Sequence, residues 1–291
     1  MAEPRLMFCV GATKAGTSWL HRYISDHPEC WMQPIKELHY FDAIDRNDWA
    51  YQRRVIEGRR AGLQADLAGA AGPWADELRR QITLMDRWLA VLAREREDAA
   101  AYLDYLTDGA DGRLVADMTP AYSLLSQDRL AGMARLLPDV RFIYLMRDPV
   151  ARLWSHVRMM AERRAKPGES LAERAKRILN RVITGKEPQI AERSDYRAAL
   201  SKILAAVAPA RRLVMFSEDL FSQAGVGRIC AFLGISPVPA RPDRRVFEGQ
   251  AVPMTEFQRR RAGRWLAAQY DFVATTLGDV PPAWRANMEW A

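Results

Sequence analysis

At 291 residues and 49% apolar side chains, the chain is long enough to bury one sizeable α/β core. Its 43 Lys and Arg outnumber 36 Asp and Glu, and the net charge of +7 suits an anionic partner (a nucleotide, a sulfated sugar, nucleic acid or a membrane) without choosing among them. Cys9, Cys30 and Cys230 are odd in number and far apart, with no C-x-x-C pair, which argues against a disulfide framework or a cysteine-rich zinc site and points to a reducing cytoplasm.

In chain order, the apolar run Leu6–Val10 reads as a strand; it is too short for a signal core or a membrane span, and no later segment is long enough to cross a bilayer. A short second strand is predicted at Cys30–Met32. From Asp48 to Thr107 the pattern is helical, with Trp74, Leu78, Ile82, Met85 and Leu89 spaced in threes and fours along one stripe. Strands follow at Leu114–Ala116, Val140–Met146 and Leu213–Phe216. Arg158 to Arg193, broken at Lys166-Pro167-Gly168, reads as a solvated helix pair, with an acceptor-covering lid as the alternative. The last long helix runs from about Thr255 to Leu277, and its Arg259, Arg260 and Arg261 fan across a wide arc rather than converging on one ligand.

The segment Val10-Gly11-Ala12-Thr13-Lys14-Ala15-Gly16-Thr17-Ser18 carries an apolar strand through a small-residue loop into an amphipathic helix, the anatomy of an anion cradle. Gly11 and Gly16 sit five apart, as in the G-x-x-x-x-G-K-S/T loop of nucleotide hydrolases, but Thr17 stands where that motif needs lysine. Lys14 lies inside the loop instead. From there it can reach the oxygen bridging a phosphate and a transferred group, while Thr17 and Ser18 hold a single phosphate. A second candidate lies at the end of the Val140–Met146 strand, where Arg147-Asp148-Pro149 leads into a helix bearing Ser155; a guanidinium and a hydroxyl converging there can grip another phosphate. The plainer alternative is an Arg147–Asp148 strand-end ion pair.

Lys14-Ala15-Gly16-Thr17-Ser18 resembles the K-x-G-T-S/T loop of the sulfotransferases that use 3′-phosphoadenosine-5′-phosphosulfate (PAPS), and Arg147-Asp148-Pro149 with Ser155 resembles their 3′-phosphate motif. Lys36-Glu37-Leu38-His39-Tyr40-Phe41-Asp42 is similar to a segment of the glycan-modifying branch, and Asp117-Met118-Thr119-Pro120-Ala121-Tyr122 to another, with Met118 in place of the family's lysine. The resemblance covers Phe8 to about Leu233 and implies a P-loop-like, three-layer α/β fold with a central, mainly parallel sheet flanked by helices. Residues 1–291 would then form one domain with a helical insertion at about 48–107. It further implies in-line transfer of a sulfuryl group from PAPS, leaving 3′-phosphoadenosine-5′-phosphate (PAP), to a hydroxyl or amine of a glycan or small molecule, with no metal required and no nucleic acid as partner.

Within that implication, Lys14, Ala15, Gly16, Thr17, Ser18, Arg147 and Ser155 bind the donor, Lys14 assists the leaving group and Glu37 is the base. His39 supports it or is itself the base; a surface Glu37–Lys36 pair is the structural alternative. An i, i+2 spacing puts Glu37 and His39 on one face if the segment is extended. Arg244, Arg245 and Gly249 are candidates for a late phosphate loop, Glu218-Asp219-Leu220 reads as structural, and His21 and His27 as structural or solvated. Two rival functions remain at this point: a P-loop kinase or nucleotide hydrolase, and a basic polyanion- or nucleic-acid-binding module.

Overall fold

A computed structural model describes residues 4–239 and 251–290; Arg244, Arg245 and Gly249 lie outside the described residues. Five strands form one sheet: β1 (Arg5–Gly11), β2 (Cys30–Trp31), β3 (Leu114–Asp117), β4 (Asp139–Met146) and β5 (Arg212–Phe216), in the order β2-β3-β1-β4-β5. Every pairing is parallel. Helices on the faces of a parallel sheet bury its central strands on both sides, so β1 and β4 read as nearly unbroken apolar runs rather than alternating ones.

The helices, in order, are α1 (Thr17–Ser25), α2 (Tyr40–Arg46), α3 (Trp49–Ala68), α4 (Gly72–Leu92), α5 (Ala99–Thr107), α6 (Gln127–Met133), α7 (Pro149–Arg163), α8 (Leu171–Ile183), α9 (Pro188–Glu192), α10 (Tyr196–Ala206), α11 (Ser217–Leu220), α12 (Gln223–Leu233), α13 (Glu256–Leu277) and α14 (Pro282–Met288). Helices α3 and α4 pack against each other as a hairpin. Leu78 and Met85 of the expected apolar stripe are buried, but Trp74 is 57% exposed. It sits in the first turn of α4, at the hairpin tip, beyond the reach of the core. No helix among the described residues is long and apolar enough to cross a membrane.

The order of the strands positions the site. The chain leaves β1 toward β2 on one flank of the sheet, and β4 and β5 fill the other, so the carboxyl ends of β1 and β4 flank the point where the winding reverses. Ligands of open α/β sheets bind in the crevice at such a point. The corner after β4 is fixed by its own aspartate: Asp148 caps α7 by accepting from Ala151 N (2.7 Å), and it also accepts from Tyr270 Oη (2.7 Å) and Asn287 Nδ2 (2.9 Å) of α13 and α14. Glu218 accepts from Asp148 N (3.3 Å) and Trp284 Nε1 (2.8 Å), the structural role expected of it. Asp148→Ala removes the cap and strands two buried donors, so it is expected to cost about 3 kcal/mol or more of folding stability, measured by urea denaturation.

Candidate active site

The loop after β1 is built to present amides. Ala12 N donates to Leu145 O of β4 (2.7 Å) and Ala15 N closes the turn onto Ala12 O (3.1 Å). Among the described residues, the amides of Thr13, Lys14, Gly16, Thr17 and Ser18 meet no protein acceptor. They surround the N-terminus of α1, whose dipole adds positive potential. The amide of Ala15, a residue expected to bind the donor, is used within the turn. The glycines are forced by shape: a Cβ on Gly11 would stand 2.9 Å from the Tyr144 ring, and one on Gly16 (φ 97°) 2.7 Å from Leu220 Cδ2.

Lys14 holds a left-handed backbone (φ 71°), an uncommon conformation for a side-chain-bearing residue, and its ammonium is half-buried. Burial, then the charges of Arg147, Arg158 and Arg163, lower its pKa. Arg147, at the end of β4, donates to Lys14 O (3.4 Å), so the two phosphate motifs meet across the crevice. The Arg147–Asp148 ion pair does not form; Asp148 faces Tyr270 and Asn287 instead. Tyr196 Oη holds both backbone groups of Arg147, donating to its carbonyl (2.8 Å) and accepting from its N–H (3.0 Å).

Helix α7 continues the wall. Arg152 is fully buried, donates to Thr13 O (3.3 Å) and to Ser194 Oγ, and has no carboxylate partner among the described residues. Ser155 is buried one turn further on. No sequence pattern marks Arg152, because a lone arginine on a helix reads as solvated. Its i, i+3 relation to Ser155 was the available signal.

Opposite the loop, Lys36 Nζ donates to Ser18 Oγ (2.6 Å) and stands 3.8 Å from Glu37, so this lysine is tied to the cradle rather than solvated. Glu37 and His39 are not on an extended segment: both are left-handed, at φ 62° and 54°. Two such turns in three residues still bring the carboxylate within 3.7 Å of His39 Nε2, while His39 Nδ1 lies 2.7 Å from Asp42 Oδ2. Non-glycine residues held in this region cluster at functional sites, and Lys14, Glu37 and His39 all adopt it.

Burial pulls the His39 imidazole down, but the hydrogen bond with Asp42 and the nearby Glu37 carboxylate outweigh it and push the pKa up to about 9. Burial pushes Glu37 up, yet the neighbouring His39 and Lys36 leave it below the usual carboxylate value.

Two residues of the fourth motif turn inward. Met118 packs in the core, and Tyr122 is fully buried, donating to Asp117 Oδ2 (2.9 Å) and accepting from Tyr40 N (3.0 Å). Asp117 also accepts from Tyr102 Oη (2.8 Å) and Thr119 Oγ1 (2.7 Å). This buried network braces the start of α2, and with it His39. Of the other histidines, His27 is structural: its Nδ1 accepts from Glu29 N (3.1 Å), which leaves Nε2 to donate to Ser236 O (2.9 Å).

An amide cradle at a sheet's winding reversal, two cations reaching it from separate strands and a carboxylate–imidazole pair facing it define an anion-binding α/β protein equipped for group transfer. The chain belongs to the sulfotransferase family, whose model matches residues 5–239. Solved structures of similar fold include a sulfotransferase from Alicyclobacillus acidocaldarius, at 21% identity over 98% of this chain and 100% of that one, with a TM-score of 0.64. The sulfotransferase domain of the Synechococcus PCC 7002 olefin synthase aligns at 19% identity over 96% of both chains, with a TM-score of 0.54. That of the curacin biosynthetic pathway aligns at 17% over 84% of this chain and 80% of that one, at 0.51. No curated protein sequence matches the chain.

Proposed function

We propose that this sulfotransferase takes its sulfuryl group from PAPS and delivers it to a hydroxyl, or an amine, of a glycan or small molecule by in-line displacement, with residues 1–291 acting as one catalytic domain. The observation that carries the reading is the meeting of Lys14 and Arg147 over one cradle, with Glu37 on its far side. The free amides of Thr13, Gly16 and Thr17, with the Ser18 hydroxyl, suit a 5′-phosphate; Arg147 and Ser155 suit the 3′-phosphate. Three buried free cysteines agree with a reducing cytoplasm.

In the transfer, Glu37 accepts the proton of the attacking hydroxyl as the new oxygen–sulfur bond forms. The bond from sulfur to the 5′-phosphate oxygen breaks, that oxygen keeps the electron pair, and Lys14 with the loop amides stabilises the charge it gains. Glu37 fits the base better than His39, because an imidazole pushed up to about 9 already carries its proton at neutral pH. Family membership leaves the kinase and polyanion-binding readings without support.

Titration calorimetry with PAP, ATP and AMP tests the donor. PAP is expected to bind selectively, and Arg147→Ala to weaken it by about tenfold to a hundredfold, the loss of a charge-assisted phosphate contact. ATP bound in preference to PAP would overturn the reading in favour of a kinase.

A further inference from the structure

The two phosphate motifs are braced from one place, the joint between α9 and α10. The joint opens at Arg193, whose guanidinium donates to Gln189 O (2.9 Å), and continues with Ser194, whose hydroxyl donates to Ile190 O (2.9 Å) and accepts from the Arg152 guanidinium. Arg152 also donates to Thr13 O (3.3 Å), so it ties the loop after β1 to Ser194. Two residues on, Tyr196 opens α10, and its Oη holds the N–H and the carbonyl of Arg147. The Tyr196 ring meets that of Tyr144 edge-on at 6.3 Å, and Tyr144 lies against Gly11, where the loop begins.

The joint is itself held firmly. Ser194 and Tyr196 are buried, and Asp195 between them caps α10 by accepting from Ala198 N (2.9 Å). From α13, Gln269 donates to Asp195 Oδ1 (3.3 Å) and accepts from Arg197 N (2.9 Å). Arg152 adds nothing to folding by its charge, because a guanidinium taken out of water without a carboxylate is costly, and it meets none among the described residues. What it does supply is a fixed distance between a loop carbonyl and the joint.

Building on the PAPS reading, we propose that Arg152, Ser194 and Tyr196 are positioning residues, through which the α9–α10 joint sets the loop amides and Arg147 at the separation that two phosphates of one nucleotide require. None of the three needs to touch the nucleotide; Arg152 acts through Thr13 and Tyr196 through Arg147. Binding groups held this way act at full strength only while their supports are locked.

Displacement titrations of the full-length chain with PAP, with AMP and with adenosine 3′-monophosphate read the two phosphates separately. Tyr196→Phe removes only the hydroxyl, and is expected to weaken PAP and adenosine 3′-monophosphate about tenfold while leaving AMP within about twofold. Arg152→Lys keeps the charge, but one ammonium cannot span the two oxygens. It is expected to weaken PAP and AMP about tenfold and to leave adenosine 3′-monophosphate within about twofold. Ser194→Ala cuts the same link at its far end and should repeat the lysine pattern more weakly, which keeps the test open should Arg152→Lys fail to fold. A joint that is merely structural acts on every ligand alike, so an equal loss for all three, or no loss, would overturn the proposal. Failure of the unaltered protein to bind PAP would overturn the donor reading instead, and leave a different signature.

Discussion

Lys14→Met is expected to lower sulfuryl turnover about a thousandfold, the upper range for removing one preorganised donor from a developing oxyanion, while the protein unfolds at nearly its original temperature. The two effects separate because of where the charge sits. The ammonium is half-buried, forms no hydrogen bond among the described residues and is surrounded by Arg147, Arg158 and Arg163, which together with burial lower its pKa. In the free protein this charge costs stability; on the proposed function it becomes useful when negative charge appears on the leaving phosphate oxygen. The left-handed backbone supplies a control. Lys14→Gly fits φ 71° at least as well as lysine, so loop shape is kept while the charge is lost. Both variants should be slow, and both should bind PAP more weakly than the parent, because PAP carries the charged 5′-phosphate oxygen that Lys14 is proposed to face. Initial rates at saturating PAPS, with thermal melts by circular dichroism, decide it: turnover within tenfold of the parent in Lys14→Met would remove Lys14 from the chemistry.

How much of this was legible in the sequence depends on whether the signal was local. All five strands were readable, because each apolar run is closed by turn residues and a strand of a covered parallel sheet has to be apolar on both faces. The order β2-β3-β1-β4-β5 was not, since strand neighbours are chosen by long-range packing. The cradle was legible for the same local reason: Gly11, Gly16 and Lys14 act through backbone geometry within a few residues. The opposite wall was only half legible. Glu37 and His39 were expected to meet by alternation along an extended segment, and they meet because both residues turn left-handed. Arg193 was lost in the Arg158–Arg193 stretch read as solvated, and Arg152 just before it carried no mark either, because no composition separates an arginine buried against a loop carbonyl from one in water. The three arginines of α13 fan out as expected, Arg259 and Arg261 to Asn287 and Asn180, and Arg260 to Glu256.

Glu37→Gln is expected to reduce turnover by roughly a hundredfold to ten-thousandfold, the range for losing a general base, with PAP affinity unchanged. The pH profile carries the sharper argument, because Glu37 and His39 shift each other in opposite directions. Glu37 lies below its ordinary value, so its carboxylate persists through neutral pH and the acid limb of the rate falls below the usual carboxylate range. His39 keeps its proton until about pH 9, and the alkaline limb should appear there as the charge that orients Glu37 disappears. The stability linkage has matching signs. The raised His39 contributes fully below its unfolded value of 6.5 and loses that contribution as pH rises through about 9. The lowered Glu37 contributes above its unfolded 4.5 and loses it as pH falls. In His39→Gln the imidazolium that helps to lower Glu37 is gone while burial remains, so the acid limb should move upward and the alkaline limb vanish. Were His39 the base, the rate would instead climb as pH rises through about 9, and Glu37→Gln would leave most of the turnover intact; a stopped-time assay of product formation across pH on the three proteins separates the two outcomes.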